Sequence, residues 1–317
     1  MGAKITICFL FISLFLSCNL LTDKRSRFSF NNTDQGVELL EGKSPVLFYQ
    51  KVGRSPDGEH FFNNYIHPLY SLEGDTLTEI FPADHPHHRG IFWAWHRVFV
   101  GNQFIGDSWT MDNISQDVTN VVTSQDKFSA LIKTEVLWKS SLFKNGVPFL
   151  KENSSISISK VQIDYRIIDF EISLNPLFPD VYIGGSDDEK GYGGFSMRIK
   201  LPEDLIFSSD KGSVIPQNLQ VEAGPWMDFS ALFGNTKEKS GVTILCHPTT
   251  PNYVAPWILR KRKSMQNIVF PGKEKIKLKM NEPLILRYRL IIHKGGAKNI
   301  DIVKLQSDYS DISYTNK

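Results

Sequence analysis

Alternation of apolar and polar residues with a period of two is the feature that most constrains how this chain folds. The segment KFSALIKTEVLWKS places one apolar set on the same side of an extended strand, namely Phe128, Ala130, Ile132, Val136 and Trp138. The same period recurs in SSISISKVQIDYRIIDFEISL, GGFSMRIKL, EKIKLKM and EPLILRYRLIIHKG. A surface helix would repeat its apolar residues every three or four positions, so these segments predict β-strands.

Two of these segments carry further detail. In SSISISKVQIDYRIIDFEISL the apolar set changes side at Ile167 and Ile168, which predicts a bulge or turn there. In GGFSMRIKL one side holds Phe195 and Met197, and the opposite, polar side holds Arg198. Only GPWMDFSALFG and AKNIDIVKLQSDY have a pattern that favours short helices.

Many strands, few helices and no alternation of strand with helix predict an all-β domain. Turn sequences such as SPDG, KNG and SSDKG separate the strands, and no linker or repeat divides the body. We therefore expect one large antiparallel β-sandwich over residues 28–309, of the galactose-mutarotase-like type, with the site on a polar sheet face. Residues 310–317 form a tail.

The N-terminus has the pattern of an export signal. One lysine precedes the apolar run of residues 5–16, which is too short to cross a bilayer, since crossing takes roughly 20 residues. Leu-Ser-Cys follows and resembles a bacterial lipobox. We predict a signal peptide over residues 1–17, lipidation at Cys18, a tether over 18–27, and a lipid-anchored protein of the cell envelope, at the outer membrane. A plain signal peptide is the alternative.

Charge and cysteine content argue against a nucleic-acid-binding protein and against a disulfide-stabilised one. The net charge is +2 with no basic stripe, so a nucleic-acid partner is not expected. Once Cys18 carries lipid, only Cys246 remains in the mature chain, and no disulfide is possible within it. Because Cys246 lies in the apolar run GVTILCHP, we expect it to be a buried small side chain.

The segment FPADHPHHRGIFWAW concentrates His85, His87, His88 and Arg89 within five residues. Its two prolines exclude a regular helix, and in an extended chain His85 and His87 would face one way and His88 the other. Three interpretations compete: a metal site, a metal-free acid–base site, and a polar loop whose imidazoles bind backbone.

Further candidates lie in Gly- and Pro-rich segments next to strand ends, where binding residues on a rigid β scaffold usually occur. Each alone also fits a surface loop, a core tryptophan or a strand-edge arginine. As substrate-binding residues we predict His67, Trp93, Trp95, Asp107, Trp109, Arg198, Trp226 and Trp257.

The segment YIHPLYSLEGDTLTEIFPADHPHHRGIFWAW resembles the hallmark segment of the bacterial PmoA-like domain family. GGFSMRI, GPWMDFS, SGVTILCHPTTPNYVAPWILR and LILRYRLIIHKG resemble its later blocks, in the same order, so the match covers about residues 64–295. The stretch RKRKSMQNIVFPG is more basic than the usual pattern. The family name suggests methane oxidation, which a membrane oxygenase with several spanning helices performs. We do not expect that activity, because the mature chain has no apolar run long enough to span a bilayer. The resemblance implies exported proteins of polysaccharide-degrading bacteria, similar to enzymes active on uronic-acid oligosaccharides.

We therefore expect a dehydratase, a carbon–oxygen lyase that removes water across C4–C5 of a non-reducing-end uronic acid. Arg89 or Arg198 would neutralise the carboxylate, one imidazole of the His85–His88 segment would take the C5 proton, and His247 or His67 would protonate the leaving hydroxyl. No organic cofactor is required, and a divalent cation in place of the arginine stays open.

Two alternatives remain at this point. One is a glycan-binding lipoprotein without catalysis, which has little need for three clustered imidazoles. The other is a glycoside hydrolase, which usually needs two carboxylates roughly 5–10 Å apart. Its candidate carboxylates are Asp84, Asp107, Glu135, Glu152 and Asp228.

Overall fold

A computed structural model describes residues 27–235 and 237–314. The described chain contains 21 strands, two short 3-10 helices and one α-helix. The first seven strands are β1 (Phe28–Asn32), β2 (Gly36–Glu41), β3 (Ser44–Gln50), β4 (Tyr65–Leu69), β5 (Ile91–Trp95), β6 (Arg97–Val100) and β7 (Gln103–Gly106). Four long strands follow: β8 (Ile114–Gln125), β9 (Ser129–Ser140), β10 (Leu150–Ser159) and β11 (Tyr165–Pro176).

The second half is built from shorter strands that end in a long one. They are β12 (Val181–Gly184), β13 (Gly193–Met197), β14 (Ile206–Ser209), β15 (Gly212–Ser213), β16 (Trp226–Ala231), β17 (Ser240–Cys246), β18 (Trp257–Ile258), β19 (Gln266–Ile268), β20 (Ile276–Lys277) and β21 (Leu284–Lys294). Helix α1 (Ile302–Ser310) closes the described chain, and the 3-10 helices are Lys144–Gly146 and Ala297–Asn299.

The strands form three antiparallel sheets, which confirms the predicted all-β class and the antiparallel β-sandwich. The eight-stranded sheet has the order β1-β2-β3-β4-β5-β13-β19-β18, and the nine-stranded sheet has the order β15-β14-β16-β17-β21-β11-β10-β9-β8. A four-stranded sheet, β20-β12-β6-β7, completes the fold. The galactose-mutarotase-like type stays a prediction.

The long strands follow the period of two. In β9, Ala130, Ile132, Val136 and Trp138 are buried, whereas the predicted inward residue Phe128 precedes the strand and is 67% exposed. The expected bulge at Ile167 and Ile168 is wrong, because β11 pairs there without a register shift. The change of side arises earlier, in the turn over residues 160–164 that joins β10 to β11.

One of the two segments expected to be helices forms a strand, and the other forms the expected helix. GPWMDFSALFG forms strand β16, not a helix, and all six of its strand residues are buried, so no exposed side marks its period. AKNIDIVKLQSDY does form a helix, α1, whose first turn is capped by the Asp301 carboxylate accepting from the Lys304 amide at 3.0 Å. In β13 both sides are buried, so the expected polar side, which includes Ser196, is not at the surface.

The tryptophans expected to contact substrate lie largely inside the protein. Trp93 contacts Phe170 of the facing sheet, and Trp95 lies 6.0 Å from Trp138 between ring centroids. Trp257 is fully buried and donates its indole N–H to the Gly224 carbonyl. These three predictions are therefore wrong: burying the indoles in the core removes more apolar area from water than a rim position would.

Helix α1 covers the outer side of the nine-stranded sheet. Trp226 packs there with Leu245, Ile302 and Tyr309, so its predicted substrate contact is also wrong. No helix among the described residues is long and apolar enough to cross a bilayer. The predicted signal peptide, Cys18 and all but the last residue of the tether lie outside the described residues. Cys246 is buried as expected, and burial raises the pKa of its thiol.

Candidate functional site

The candidate site lies on the outer side of the eight-stranded sheet, alongside β5. Successive residues of a strand point to opposite sides, and Trp93 and Trp95 point into the core. Phe92 and His96 therefore point outward, where Trp109 packs on Phe92 at 5.2 Å between ring centroids. The segment of residues 81–90, which precedes β5, brings the clustered histidines to this same side.

Two tight turns, not an extended chain, shape the histidine segment. The His85 amide donates to the Pro82 carbonyl, and the His88 amide donates to the His85 carbonyl. The ring of His88 stacks on His85 at 4.6 Å and lies 4.7 Å from His87. The expectation that His88 faces away from His85 and His87 is therefore wrong, because the turns fold all three imidazoles together. We call these three side chains the histidine cluster.

The structure shows why the HPHHRG run ends in a glycine, Gly90. Its φ is +48°, and a Cβ there would lie 1.9 Å from the Ile66 carbonyl oxygen of the neighbouring strand β4. Any other residue would push β4 away from the start of β5. Gly90 therefore permits the close approach that seats the histidine cluster on the sheet.

Arg89 is buried, with a relative exposure of 1%, and donates only to backbone carbonyls. One nitrogen, Nη1, donates to the carbonyls of His87 and Trp109 at 3.0 Å each, and Nη2 donates to the Ser108 carbonyl at 3.2 Å. The guanidinium also lies over the rings of Phe62 and Phe92. The predicted carboxylate-binding role does not fit this geometry. Arg89 instead joins the histidine segment to the turn that begins at Asp107.

Arg198 follows β13 and reaches the histidine cluster, and its predicted role stays a prediction. Its Nη1 donates to Nδ1 of His88 at 3.4 Å, and its Nε donates to the Glu79 carboxylate at 2.8 Å. Because arginine only donates, Nδ1 of His88 carries no proton. Burial, followed by the positive charges of the neighbouring histidines and arginines, lowers the pKa of His88 far below its usual range. His88 is therefore neutral at physiological pH.

His87 is more accessible than His88 and is also held neutral. Burial lowers its pKa to about 4, and the charges of Arg89, His85 and His96 act in the same direction, partly offset by Asp107. A neutral imidazole has an unprotonated ring nitrogen and can accept a proton. His87 is thus a partly exposed, neutral imidazole within the cluster.

His96, which sequence reasoning missed, completes the site. Its Nδ1 lies 2.8 Å from the Asp107 carboxylate, and its ring stacks on Trp109 at 4.9 Å. Asp107 also accepts from the amides of Trp109 and Thr110, so the carboxylate is fixed before it orients the imidazole. The signal was available: His96 follows β5 with the parity of Phe92, on the side opposite the tryptophans.

The predicted contact of Trp109 with a ligand does not fit its burial. Trp109 is only 2% exposed, and its ring is enclosed by His88, Phe92, His96 and Tyr192. The Trp109 ring stacks on the imidazole of His96, and neither face of the indole is left open for a sugar ring to stack on. Asp107, by contrast, lies beside His96, and its predicted substrate contact stays a prediction.

Tyr192 and Arg260 border the site and were not among the predicted residues. Tyr192, from the Gly-rich turn before β13, lies 6.5 Å from the His96 ring. Its hydroxyl accepts from Arg260 at 2.6 Å, and Arg260 also donates to the carbonyls of Gln217 and Asn218. In the sequence, the Gly-rich turn and the segment LCHPTTPNYVAPWILRKRK, which contains Arg260, were the signals for this edge.

His67 lies on β4, with its Cβ against Gly90. Its Nδ1 is 3.0 Å from the Thr78 hydroxyl. Burial lowers its pKa to about 4, with smaller contributions from Arg54 and Lys200. His67 is therefore a neutral imidazole in the strand beside the histidine cluster, and its predicted role stays untested by this placement.

His247 lies apart from the other candidates, on the outer side of the nine-stranded sheet. Its ring packs against Tyr309 of α1 and against Tyr314, and its Nδ1 is 2.8 Å from the Thr249 hydroxyl. The sandwich separates this side from the histidine cluster. The prediction that His247 joins the cluster as an acid is therefore wrong.

The described residues contain no group of three or more His, Cys, Asp or Glu side chains arranged to hold a metal ion. Within the cluster, the ring of His85 stacks parallel on that of His88, and His88 accepts a hydrogen bond from Arg198. What the arrangement offers chemically is a pair of neutral imidazoles beside a guanidinium, and a third imidazole oriented by a carboxylate.

Comparisons with known proteins show the family but no activity. No curated protein matches the chain. Among solved structures, the chain is similar to a variant of the GH36 alpha-galactosidase AgaA from Geobacillus stearothermophilus in complex with raffinose, with 9% identity and a TM-score of 0.34. That match covers 86% of this chain and spans only 40% of the length of that enzyme. The model of a family of unknown function, DUF6807, matches residues 36–306, and the chain belongs to this family.

Proposed function

We propose that this DUF6807 protein is an oligosaccharide dehydratase that removes water across C4–C5 of a non-reducing-end uronic acid. The observation that carries the proposal is the packing of neutral imidazoles, His87 and His88, beside the guanidinium of Arg198. Elimination next to a carboxylate needs a cation for that carboxylate and a base for the neighbouring proton. The resemblance of the sequence to enzymes active on uronic acids supports the choice of substrate.

Arg198 takes the role of carboxylate binder in this proposal. Its Nη2 lies 3.9 Å from Asp84, which is too long for a hydrogen bond, so one arm of the guanidinium fork is not closed by that contact. A substrate carboxylate that displaces Asp84 would accept a charge-assisted hydrogen bond from this Nη2. Pairing withdraws electrons from the carboxylate and makes the C5 proton more acidic.

His87 takes the C5 proton, and His96 gives a proton to the departing hydroxyl. The electron pair of the C5–H bond becomes the C4–C5 double bond, and the pair of the C4–O bond leaves with the hydroxyl as water. For this step His96 must carry a proton on both ring nitrogens: Nδ1–H donates to Asp107, and Nε2 gives its proton to the departing hydroxyl. Organic cofactors have no part in this scheme.

The carboxylates are distributed in a way that gives less support to a glycoside hydrolase. Glu152 and Asp228 are fully buried, and Glu135 pairs with Lys151 on the long strands. Asp84 and Asp107 alone among the five candidates lie near the histidine cluster, and Asp107 is committed to His96. We also propose that a lipid at Cys18 anchors the protein in the cell envelope, where acidic oligosaccharides would reach it.

One experiment separates the competing functions. The mature protein is incubated with uronate oligosaccharides, while ultraviolet absorbance of unsaturated uronate and product masses are followed together. A dehydratase gives a product lighter by one water with a new chromophore. Shorter chains without the chromophore would indicate a hydrolase, and unchanged sugars that still bind would indicate a glycan-binding protein; either result refutes the proposal.

A further inference from the structure

A cleft of about 1020 Å³ lies on the opposite outer side of the sandwich from the histidine cluster. It is formed by β11, the turn after β17, the segment from β20 to the start of β21, and Tyr314. A volume of this order suits several sugar rings or a comparable small molecule. The cleft shares no residue with the site on the eight-stranded sheet, so a ligand here would be a second one.

The floor of the cleft is a fixed arrangement of polar groups. Arg287 donates from Nε to the Glu171 carboxylate at 2.8 Å and from Nη1 to the Thr249 hydroxyl at 2.9 Å. Thr249 is in turn 2.8 Å from Nδ1 of the buried His247. These groups are therefore oriented before a ligand arrives, which lowers the entropy cost of binding.

An aromatic ring forms one wall. Tyr314 lies over the Arg287 guanidinium, 4.0 Å from the guanidinium carbon to the ring centroid, and the edge of His247 supports the ring. The ring is only half-buried, and the neighbouring lining includes the apolar side chains of Pro251 and Ile276. An apolar wall beside oriented polar groups matches a molecule with a C–H face and hydroxyl edges.

The charges of the lining decide the class of ligand. Lys277 pairs with Asp180 at 2.5 Å, Lys279 pairs with Glu282 at 2.7 Å, and Arg287 pairs with Glu171. Since each cation already has a carboxylate partner, the cleft offers no unpaired positive charge to an anion. Paired, planar polar groups do suit neighbouring hydroxyls, which both donate and accept.

We propose that this cleft is a binding site for an uncharged oligosaccharide, separate from the site of catalysis. The inference does not depend on the proposed dehydratase activity, because it rests on residues of the other sheet. A second sugar site would hold the polysaccharide to the protein while acidic chain ends reach the histidine cluster.

The test uses isothermal titration calorimetry on the mature protein carrying His87→Gln, so that no substrate turns over. The probes are cellotetraose, mannotetraose, xylotetraose and maltotetraose, with a galacturonate tetrasaccharide for comparison. We expect saturable binding of at least one neutral probe, with an affinity that depends on Tyr314. The galacturonate probe can also bind at the histidine cluster, and its affinity should not depend on Tyr314. The same neutral binding is expected without the His87→Gln change.

Two variants locate the site. Tyr314→Ala removes the aromatic wall and is expected to weaken binding roughly tenfold. Thr249→Val keeps the side-chain shape and removes the hydroxyl between Arg287 and His247, with a loss of similar size. Phe128→Ala, which truncates an aromatic side chain 67% exposed on a distant hairpin, is the matched control and should leave the affinity unchanged.

Three results would overturn the proposal. The first is the absence of saturable binding for all four neutral probes. The second is equal affinity for the Tyr314→Ala and Phe128→Ala variants. The third is a galacturonate affinity that falls in the Tyr314→Ala variant as much as the neutral affinity does, because the cleft would then not discriminate against charge. If none of these results is obtained and the unmodified protein does not turn over uronates, the neutral-sugar site is supported and the dehydratase proposal is refuted.

Discussion

Replacement of Arg89 by lysine tests how the two halves of the site are held together. The guanidinium of Arg89 donates to the His87 carbonyl on one segment and to the Ser108 and Trp109 carbonyls on another. Burial lowers its pKa to about 9, so the group stays charged near neutral pH. Lysine keeps the charge but loses the planar fork, and its single nitrogen cannot serve both segments in the same way.

The expected loss follows from the groups left without a donor. A buried carbonyl that loses its hydrogen bond costs about 1–3 kcal/mol, and one to two of the three carbonyls lose theirs. Lysine recovers part of this by donating to the nearest carbonyl. We therefore expect the free energy of unfolding of Arg89→Lys to fall by about 2–3 kcal/mol, measured by urea denaturation with tryptophan fluorescence.

A second measurement separates a positioning role from general destabilisation. Because burial is the main cause that holds the pKa of His87 near 4, loosening of the segment should raise that pKa toward its usual value, which an NMR titration of the imidazole detects. Arg262→Lys changes an exposed arginine and serves as the control. An Arg89→Lys protein with native stability and an unchanged His87 titration would refute this account.

Four other predictions concern catalysis, the pH dependence of stability and the N-terminus. If uronates are substrates, His87→Gln should lower turnover ~10²–10⁴-fold with native folding and binding, and native turnover would remove His87 from the mechanism. Asp107→Asn should lower turnover by misorienting the imidazole of His96, seen as a larger effect on kcat than on KM; equal effects argue against it. Burial lowers the pKa of His67 and His87 to about 4, so between pH about 6.5 and about 4 the unfolded chain binds protons that the folded protein does not. Stability to urea should therefore fall as the pH is lowered from about 6.5 to about 4. A stability that does not change over this range would contradict the prediction. Cys18→Ala should release the protein from membranes or block its processing, whereas an unchanged membrane fraction would exclude lipidation there.

The strands themselves were largely predictable from the sequence. Alternation in β9 identified Ala130, Ile132 and Val136 as inward residues, because the period of two is a local property of an extended chain. It failed where both sides of a strand are buried. β16 has no exposed side, so its apolar run was mistaken for a helix.

The density of imidazoles in FPADHPHHRG was also visible in the sequence, as was Arg198 on the polar side of GGFSMRIKL. What the sequence left open is how those groups meet. The turns that stack His88 on His85 depend on a few backbone hydrogen bonds, which a rule for extended chains does not contain. His96 joins them only because the chain returns at Asp107, 11 residues later, with a carboxylate for its ring.

The division between binding and structural residues was decided by tertiary packing alone. Arg89 and Arg198 are equally plausible carboxylate partners in the sequence, yet one is enclosed by carbonyls and phenyl rings and the other reaches the imidazoles. His247 and Trp95 likewise were assigned by composition, and the structure places the first on the opposite sheet and the second in the core. Period and composition describe a strand and its neighbours in the chain, whereas burial and charge partners depend on which distant strands pack together, and that information enters only when the two sheets close on each other.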